Sequence, residues 1–168
     1  VLATPADYSG TGAMEALPDI GVSRNNDYVT RSPRLDYEVT FSRAGIYYLW
    51  IRGKKTSAGS NSVHVGLNGQ AISSSDRISD FTSSWTWSQT TMDGPVATIN
   101  VPSAGVHTVN VWMREDGFMM DKLVFTTISE CAVCIGEGPA ETTPAEPNDT
   151  TPVDDSTPVD DGPGSDIY

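Results

Sequence analysis

Two tryptophans separated by a single threonine are the side chains of this sequence best suited to hold a sugar. Trp85 and Trp87 lie in a stretch rich in serine and threonine. The apolar side of a pyranose ring packs against a flat aromatic face, while its hydroxyls need planar or charged partners nearby. Residues two apart in an extended segment face the same way, so both rings could meet one ligand. A long loop that anchors itself on the core through tryptophan explains the pair equally well.

Four charged residues near predicted strand ends are the candidate polar partners of such a ligand: Arg52, Arg114, Glu115 and Asp116. An exposed turn that only keeps a hairpin soluble would explain them nearly as well. Hydrolysis of a glycosidic bond needs two carboxyls held across that bond. The adjacent carboxyls of Glu115 and Asp116 would point apart on a strand or share a turn, which does not favour this chemistry.

Other catalytic signatures are absent from the sequence. It contains no Gly-X-Ser-X-Gly elbow, no His-Glu-X-X-His pair and no phosphate-binding loop that ends in Gly-Lys. Its two histidines, His64 and His107, both fall in predicted strands, which gives a Ser-His-Asp triad little support. We therefore predict that the chain is not an enzyme.

The two cysteines have a spacing with three interpretations. Cys131 and Cys134 could form a redox pair, half of a zinc site, or a disulfide. A redox pair normally stands at a helix start in a βαβ setting, and a zinc site needs two further ligands; neither context is visible. A disulfide is favoured for an extracellular protein, either within the pair or between chains.

The elements that must position these residues are short strands separated by regular turn signals. Alternating apolar and polar residues predict six strands. These are Leu35 to Phe41, Ile46 to Arg52, Ser62 to Leu67, Val96 to Val101, Val106 to Arg114, and Phe118 to Thr126. Residues 70–95 are predicted as a long polar loop, and no amphipathic helix is expected. Trp50 and Trp112 fall in mid-strand, and we assign both to the core. The pattern favours an all-β antiparallel sandwich.

Several blocks in the same order resemble one known family. They are Ser32 to Tyr37, Gly45 to Gly53, Val63 to Leu67, Ala104 to Thr108, and the run from Arg114 to Phe125, which contains Arg114-Glu115-Asp116-Gly117-Phe118 and Asp121-Lys122. From roughly Thr4 to Thr127 the chain resembles galactose-binding-like β-sandwich modules akin to carbohydrate-binding module families 6 and 35. This resemblance implies a jelly-roll of two antiparallel sheets, no chemistry of its own, and attachment to extracellular polysaccharide or surface glycans.

The resemblance also implies a structural calcium ion. In such modules an Asp of the last strand and an acidic residue of the opening strand hold it. Asp121 matches the first position, whereas the chain starts too late to contain the second. Calcium takes about six or more oxygen ligands, so other segments would have to supply them. A structural role, in which Asp121 caps the turn or pairs with Lys122 or Arg114, is an equally weighted alternative.

The charge is divided unevenly along the chain. Residues 1–129 contain 12 acids and 10 bases, and residues 130–168 contain 10 acids and no base. We predict a carbohydrate-binding-type sandwich over 1–129 and an extended Pro/Thr/Asp-rich tail or linker over 130–168. The near-neutral body argues against nucleic acid as a partner, and no apolar stretch is long enough to span a membrane. A sequon in the tail makes Asn148 a predicted glycosylation site.

Two functions follow, both extracellular or at the cell surface. The favoured one is a structural subunit of a fibre that assembles head to tail from copies of this chain. An open sheet edge, left by the absent opening strand, would accept a strand from the tail of the next copy. The predicted donor is Cys131, Ala132, Val133, Cys134 and Ile135. The alternative is a carbohydrate-binding module, joined by the acidic linker to a polysaccharide-degrading enzyme or adhesin, with Trp85 and Trp87 stacking on the sugar.

Overall fold

Antiparallel β-strands make up most of the regular structure. The computed structural model describes residues 2–3 and 7–141; Asn148 and the rest of the predicted tail beyond residue 141 lie outside the described residues. The elements are β1 (Leu2–Ala3), β2 (Ala13–Glu15), α1 (Tyr28–Arg31), β3 (Arg34–Phe41), β4 (Gly45–Lys54), β5 (Val63–Leu67), β6 (Gln70–Ala71), a 3₁₀ turn (Ser73–Ser75), β7 (Thr86–Ser88), β8 (Thr98–Val101), β9 (Gly105–Met113) and β10 (Met119–Thr126).

The strands form two sheets that face each other. Sheet A has the order β1-β2-β10-β4-β7, and β8 also pairs with β4; sheet B has the order β3-β9-β5-β6. Each of these strand pairs is antiparallel. The predicted fold class, an all-β jelly-roll sandwich of two antiparallel sheets, is confirmed. Within the described ranges, no helix has the length and apolar character needed to cross a membrane.

The core lies between the two sheets and follows the two-residue period of the strands. On β4, Leu49 and Ile51 are fully buried, and so are Val65 and Val109 on the opposite sheet. The side chains of alternate β4 residues, including Trp50, therefore point away from the core. Trp50 is half-buried on the outer face of sheet A, so its assignment to the core is wrong. Its two neighbours on β4, Leu49 and Ile51, take the positions that point into the core.

A second buried layer covers the outer face of sheet B. Trp112 is fully buried there, and the ring of Tyr28 from α1 meets it edge-on at 5.6 Å between centroids. The same Tyr28 ring stacks on His64 at 3.8 Å. The short helix α1, which the sequence pattern did not predict, therefore serves as the lid of this layer.

All six predicted strands are present, with small differences at their ends. The predicted loop over residues 70–95 is more ordered than expected, because it contains β6, the 3₁₀ turn and β7. β7 is only three residues long and pairs with β4. A strand this short has too few residues for an alternating pattern to reveal it.

One edge of sheet A is partly open. β2 pairs with β10 through Met119 and Met120 only, whereas β4 pairs with the other side of β10 as far as Thr126. Among residues 2–3 and 7–141, no strand pairs with the β2 side of β10 beyond Met120. The expected open edge is therefore present in the described residues, and it runs along β10 beyond Met120 as far as Thr126.

The first residues of the predicted tail return to the body. The side-chain amide of Gln89 donates to the carbonyl of Ser129, and residues 136–139 accept further hydrogen bonds from sheet A. Residues 130–141 thus contact the sandwich instead of leaving it. The predicted boundary between residues 129 and 130 stays a prediction.

Candidate functional site

The tryptophan pair lies on the outer face of sheet A. β7 pairs with β4 so that Trp87 is directly opposite Arg52. Cross-strand partners share a face, and Trp85, two residues before Trp87, lies on the same side. Both rings are half-buried and neither belongs to the core cluster between the sheets. The expectation that the two face the same way is met, while the alternative of core anchors is not.

Arg52 is held firmly behind the two rings. Its guanidinium forms an ion pair with Asp121 at 2.7 Å, and both side chains are at most 5% exposed. Nε donates to the carbonyl of Gly136 at 2.9 Å, and Nη2 donates to the carbonyl of Asp7 at 3.1 Å. The guanidinium carbon lies 5.2 Å from the centroid of the Trp85 ring, within the range of a cation–π contact. Arg52 therefore supports the ring of Trp85.

Asp121 serves as the anchor of this arrangement. Its carboxylate accepts hydrogen bonds from the backbone N–H and the hydroxyl of Ser9, each at 2.9 Å, besides pairing with Arg52. The alternative pairing with Lys122 or Arg114 is therefore wrong. The two residues that it does contact are 69 and 112 positions away in the chain, beyond the reach of local pattern.

Asp121 is already engaged by donor groups of its own chain, from Ser9 and Arg52. Calcium needs about six or more oxygen ligands, whereas here the guanidinium of Arg52 already supplies a positive charge beside the Asp121 carboxylate. Across residues 2–3 and 7–141, no three side chains of His, Cys, Asp or Glu are grouped to hold a metal ion. A structural calcium held by Asp121 stays a prediction.

Arg114, Glu115 and Asp116 lie in a different place and are all buried. Glu115 accepts from Arg114 at 2.5 Å, and from the backbone N–H of Asn61 and the hydroxyl of Ser62 at 2.8 and 2.9 Å. Their burial rules out the exposed turn expected as an alternative. We call these three residues the loop clamp.

Asp116 completes the loop clamp. Its carboxylate accepts three backbone hydrogen bonds, from Ile20, Gly21 and Val22, at 2.8 to 3.1 Å. The clamp thus fastens the segments around residues 20–22 and 61–62 to the turn between β9 and β10. The structure brings Arg52 against the tryptophans and commits the clamp to the chain's own loops; a sugar contact by the clamp residues stays a prediction.

The two cysteines form a disulfide with each other, at a Cα–Cα distance of 5.3 Å. Three extended residue steps would span about 10 Å, so this crosslink closes a turn. The backbone N–H of Cys134 donates to the carbonyl of Cys131 inside it. The prediction that residues 131–135 are strand-like is therefore wrong for the described chain. Their role in assembly, including that of Ala132, Val133 and Ile135, stays a prediction.

The segment after the disulfide crosses the outer face of sheet A. We call residues 136–139 the strap. The carbonyl of Gly136 accepts from Arg52 Nε and from Trp87 Nε1 at 3.1 Å. The ammonium of Lys122 donates to the carbonyls of Glu137 and Pro139, at 3.0 and 2.6 Å. Gly138 lies against the Trp87 ring so closely that a Cβ there would collide with it.

Hydroxyl groups cluster in the segment that contains the tryptophan pair. The hydroxyls of Thr82 and Thr86 are 2.7 Å apart, and each lies near the carbonyl of Ser84, at 3.0 and 2.9 Å. Lys54 and Lys55, both half-buried, end β4 nearby, since the backbone of Lys55 donates to Thr82. Flat indole faces, with hydroxyl and amine groups on adjoining segments, are the kinds of group that bind a polyhydroxylated ligand.

Comparison with known proteins identifies the family. Residues 5–130 match the glycosyl hydrolase family 115 C-terminal domain, over most of this chain. The chain belongs to this domain family. An uncharacterised protein, P23, from Formosa agariphila is 35% identical over an alignment of 152 residues, and the match covers 80% of this chain and 37% of that protein. The chain thus spans little more than a third of this relative.

A solved structure shares the fold of this family 115 C-terminal domain. A GH26-CBM35 β-(1,4)-mannanase of Podospora anserina superposes with a TM-score of 0.52 and 18% identity, covering 75% of this chain and 24% of that one. A family 35 carbohydrate-binding module from an environmental isolate gives 0.47 and 19%, covering 75% of this chain and 81% of that module. The predicted resemblance to carbohydrate-binding modules is confirmed at the level of the fold.

Two features of this domain were not predicted from the sequence. One is that Lys122 lies on the outer face of sheet A, and the other is the strap to which it donates. Gly136 and Gly138 both have positive φ, 56° and 75°, and their spacing is the one local signal of a tightly turned segment. Nothing in the sequence indicates that this turn meets Trp87, because the two are about fifty residues apart.

Proposed function

We propose that this family 115 C-terminal domain is a non-catalytic carbohydrate-binding module that works outside the cell, attached to a polysaccharide-degrading protein. The observation that carries the proposal is the pair Trp85 and Trp87, two indoles on one face of a sheet and outside the core, with Arg52 supporting the first ring. Two flat rings that keep part of their surface accessible on one face of a sheet can stack on the apolar side of a sugar.

In this proposal each side chain has a defined role. Trp85 stacks on the apolar side of a sugar ring, and Trp87 extends the aromatic surface toward the strap. Thr82, Ser84 and Lys54 hydrogen-bond the hydroxyls. The names of the similar proteins support this assignment, since a mannanase that carries a CBM35 module and a glycoside hydrolase family both concern polysaccharides.

The fibre subunit favoured by the sequence becomes the second candidate. Its specific support is the open side of β10 beyond Met120. Against it, residues 131–135 form a disulfide-closed turn, and the strap that follows is bound to the chain's own sheet. A segment engaged in this way would have to detach before it could pair with a neighbour.

Affinity electrophoresis in gels that contain single polysaccharides tests the proposal. We expect retardation of the wild-type chain by at least one polysaccharide, and a loss of affinity of about tenfold or more in Trp85→Ala, since aromatic anchors dominate such contacts. Ile46→Ala removes an apolar side chain that is more accessible than Trp85, 61% exposed at the other end of β4, and should bind like the wild type. Equal retardation of Trp85→Ala, or no retardation by any polysaccharide, would contradict the proposal.

A further inference from the structure

The outer face of sheet A also contains hydrogen-bond donors that lie beneath the strap. Beneath the strap lie Arg52 and Lys122, each less than a tenth exposed, and the half-buried Trp87. All three donate to backbone carbonyls of the strap: Arg52 and Trp87 to Gly136, and Lys122 to Glu137 and Pro139. Two cations and one indole thus donate to one short peptide segment.

Trp50 adds an unused donor on the same face. It lies two residues before Arg52 on β4, so the two side chains point the same way. Its indole Nε1 is buried and has no hydrogen-bond partner among the described residues. A buried N–H without a partner is costly, and an acceptor on a bound ligand would remove that cost.

The strap makes the same kinds of contact with this face that a sugar would make. Its carbonyl oxygens accept hydrogen bonds from the N–H groups of Arg52, Lys122 and Trp87, and Gly138, which has no side chain, lies against the indole of Trp87. Hydroxyl oxygens and the apolar side of a pyranose ring would make the same two kinds of contact. The strap therefore occupies the surface in the manner of a ligand.

We propose that the strap covers a second carbohydrate-binding surface, formed by Trp50, Trp87, Arg52 and Lys122, and competes with the glycan for it. The inference rests on the proposed function, because it extends the site at Trp85 along the same face. When the strap lifts, a longer stretch of polysaccharide binds across Trp85 and Trp87 toward Trp50. The measured affinity of the closed protein is then reduced by the fraction of time that the strap is open.

One substitution in the full chain should displace the strap without replacing any residue of the surface beneath it. In Gly138→Leu the new side chain collides with the ring of Trp87, whereas Gly136→Leu adds the same side chain where nothing lies within 4 Å of the Cβ position. Both glycines have positive φ, so the two variants share the backbone strain. Hydrogen exchange of residues 136–141 reports whether the strap has lifted, and affinity electrophoresis reports binding to the same polysaccharides.

We expect faster exchange in Gly138→Leu, and binding about tenfold or more tighter than in Gly136→Leu, as for a strap open about a tenth of the time in the wild type. A lifted strap with unchanged or weaker binding would overturn the competition while leaving the site at Trp85 intact. Failure of all three proteins to bind any polysaccharide would instead sink the proposed function together with this inference.

A second measurement decides the case in which Gly138→Leu keeps the strap in place. Saturating the wild-type chain with the polysaccharide that retards it most should accelerate exchange in residues 136–141, because the ligand takes the strap's hydrogen-bond donors. Unchanged or slower exchange in that segment would show that glycan and strap do not compete.

Discussion

At the scale of single residues, the ion pair of Arg52 and Asp121 carries the candidate face. Both side chains are almost completely buried, at 5% and 0% exposure. A buried pair of this kind adds little net stability by itself, but removing one partner leaves a charge without compensation. The pair also fixes the guanidinium under Trp85, so it links the stability of the fold to the position of the aromatic ring.

Asp121→Ala should therefore be one of the most damaging single changes in the chain. We expect the free energy of unfolding to fall by about 3–5 kcal/mol, because Arg52 stays buried without its counter-charge. Asp93→Ala is the matched control, since it breaks the Arg77 ion pair, in which the side chains are 33% and 55% exposed. That loss should be at most about 1 kcal/mol. Equal urea midpoints for the two variants would show that the Arg52 pair is not structurally important.

His64 gives the fold a dependence on pH. Burial lowers the pKa of this imidazole below its usual 6.5, although hydrogen bonds to the carbonyl of Arg24 and to Asp76 act in the opposite direction. The folded state therefore binds fewer protons than the unfolded state once the pH falls below 6.5. Stability rises with pH wherever the unfolded state binds more protons, so it should fall as the pH drops from about 6.5 toward the lowered folded pKa.

Urea unfolding of the wild type and of two variants between pH 5 and pH 7.5 measures this effect. His64→Gln should flatten the slope of stability against pH in that range, whereas His107→Gln should retain it. If His64→Gln does not fold, the slope of stability against pH in His107→Gln still tests the assignment, because a retained slope excludes His107 as its source. A wild-type stability that stays constant or rises on acidification through pH 6.5 would contradict the role given to His64.

At the scale of elements, alternation of residue types was sufficient to predict the long strands but not what joins them. β3, β4, β9 and β10 have long alternating runs, because one face of each is buried, and all were predicted. β7 was missed since three residues carry no period. α1 was missed since its four residues are fixed by the packing of Tyr28 on His64.

The candidate site shows the same limit. That Trp85 and Trp87 share a face follows from their spacing alone, and so it could be predicted. The partners of Arg52 come from residues 7, 121 and 136, and chain segments so far apart meet only through the sheet register. Residue type therefore indicated the candidates, while the fold determined which of them meet: Arg52 at the tryptophans, and Arg114 with its two neighbours in the loop clamp.

We expect Asp116, in the turn between β9 and β10, to stabilise the fold by holding residues 20–22 in place. Asp116→Ala leaves the backbone N–H groups of residues 20–22 without their acceptor, so we expect a loss of about 1–3 kcal/mol of stability. Hydrogen exchange should accelerate at those three amides more than elsewhere. Glu38→Ala, an exposed acid on β3, is the control and should change neither quantity. Unchanged exchange at residues 20–22 in Asp116→Ala would contradict the clamp.

At the scale of the whole molecule, the segment 129–141 decides between a binding module and an assembly subunit. The same residues cannot both lie on their own sheet and pair with a neighbouring copy. In the described chain they are engaged by the disulfide, by Gln89 at Ser129, and by Arg52, Trp87 and Lys122 at the strap. The open side of β10 is thus not matched by a free donor strand within these residues.

The purified chain should therefore be a monomer in solution. Light scattering should give a mass near 18.0 kDa, with no growth of particle size over the micromolar range and no fibres in electron micrographs of the same sample. The double variant Cys131→Ser with Cys134→Ser removes the crosslink that closes the turn, and it should stay monomeric because the strap contacts of Arg52 and Lys122 remain. Fibres formed by the wild type would overturn this reading. Fibres formed by the double variant alone would show that the disulfide, by closing residues 131–134 into a turn, is what keeps a donor strand from the open edge of β10.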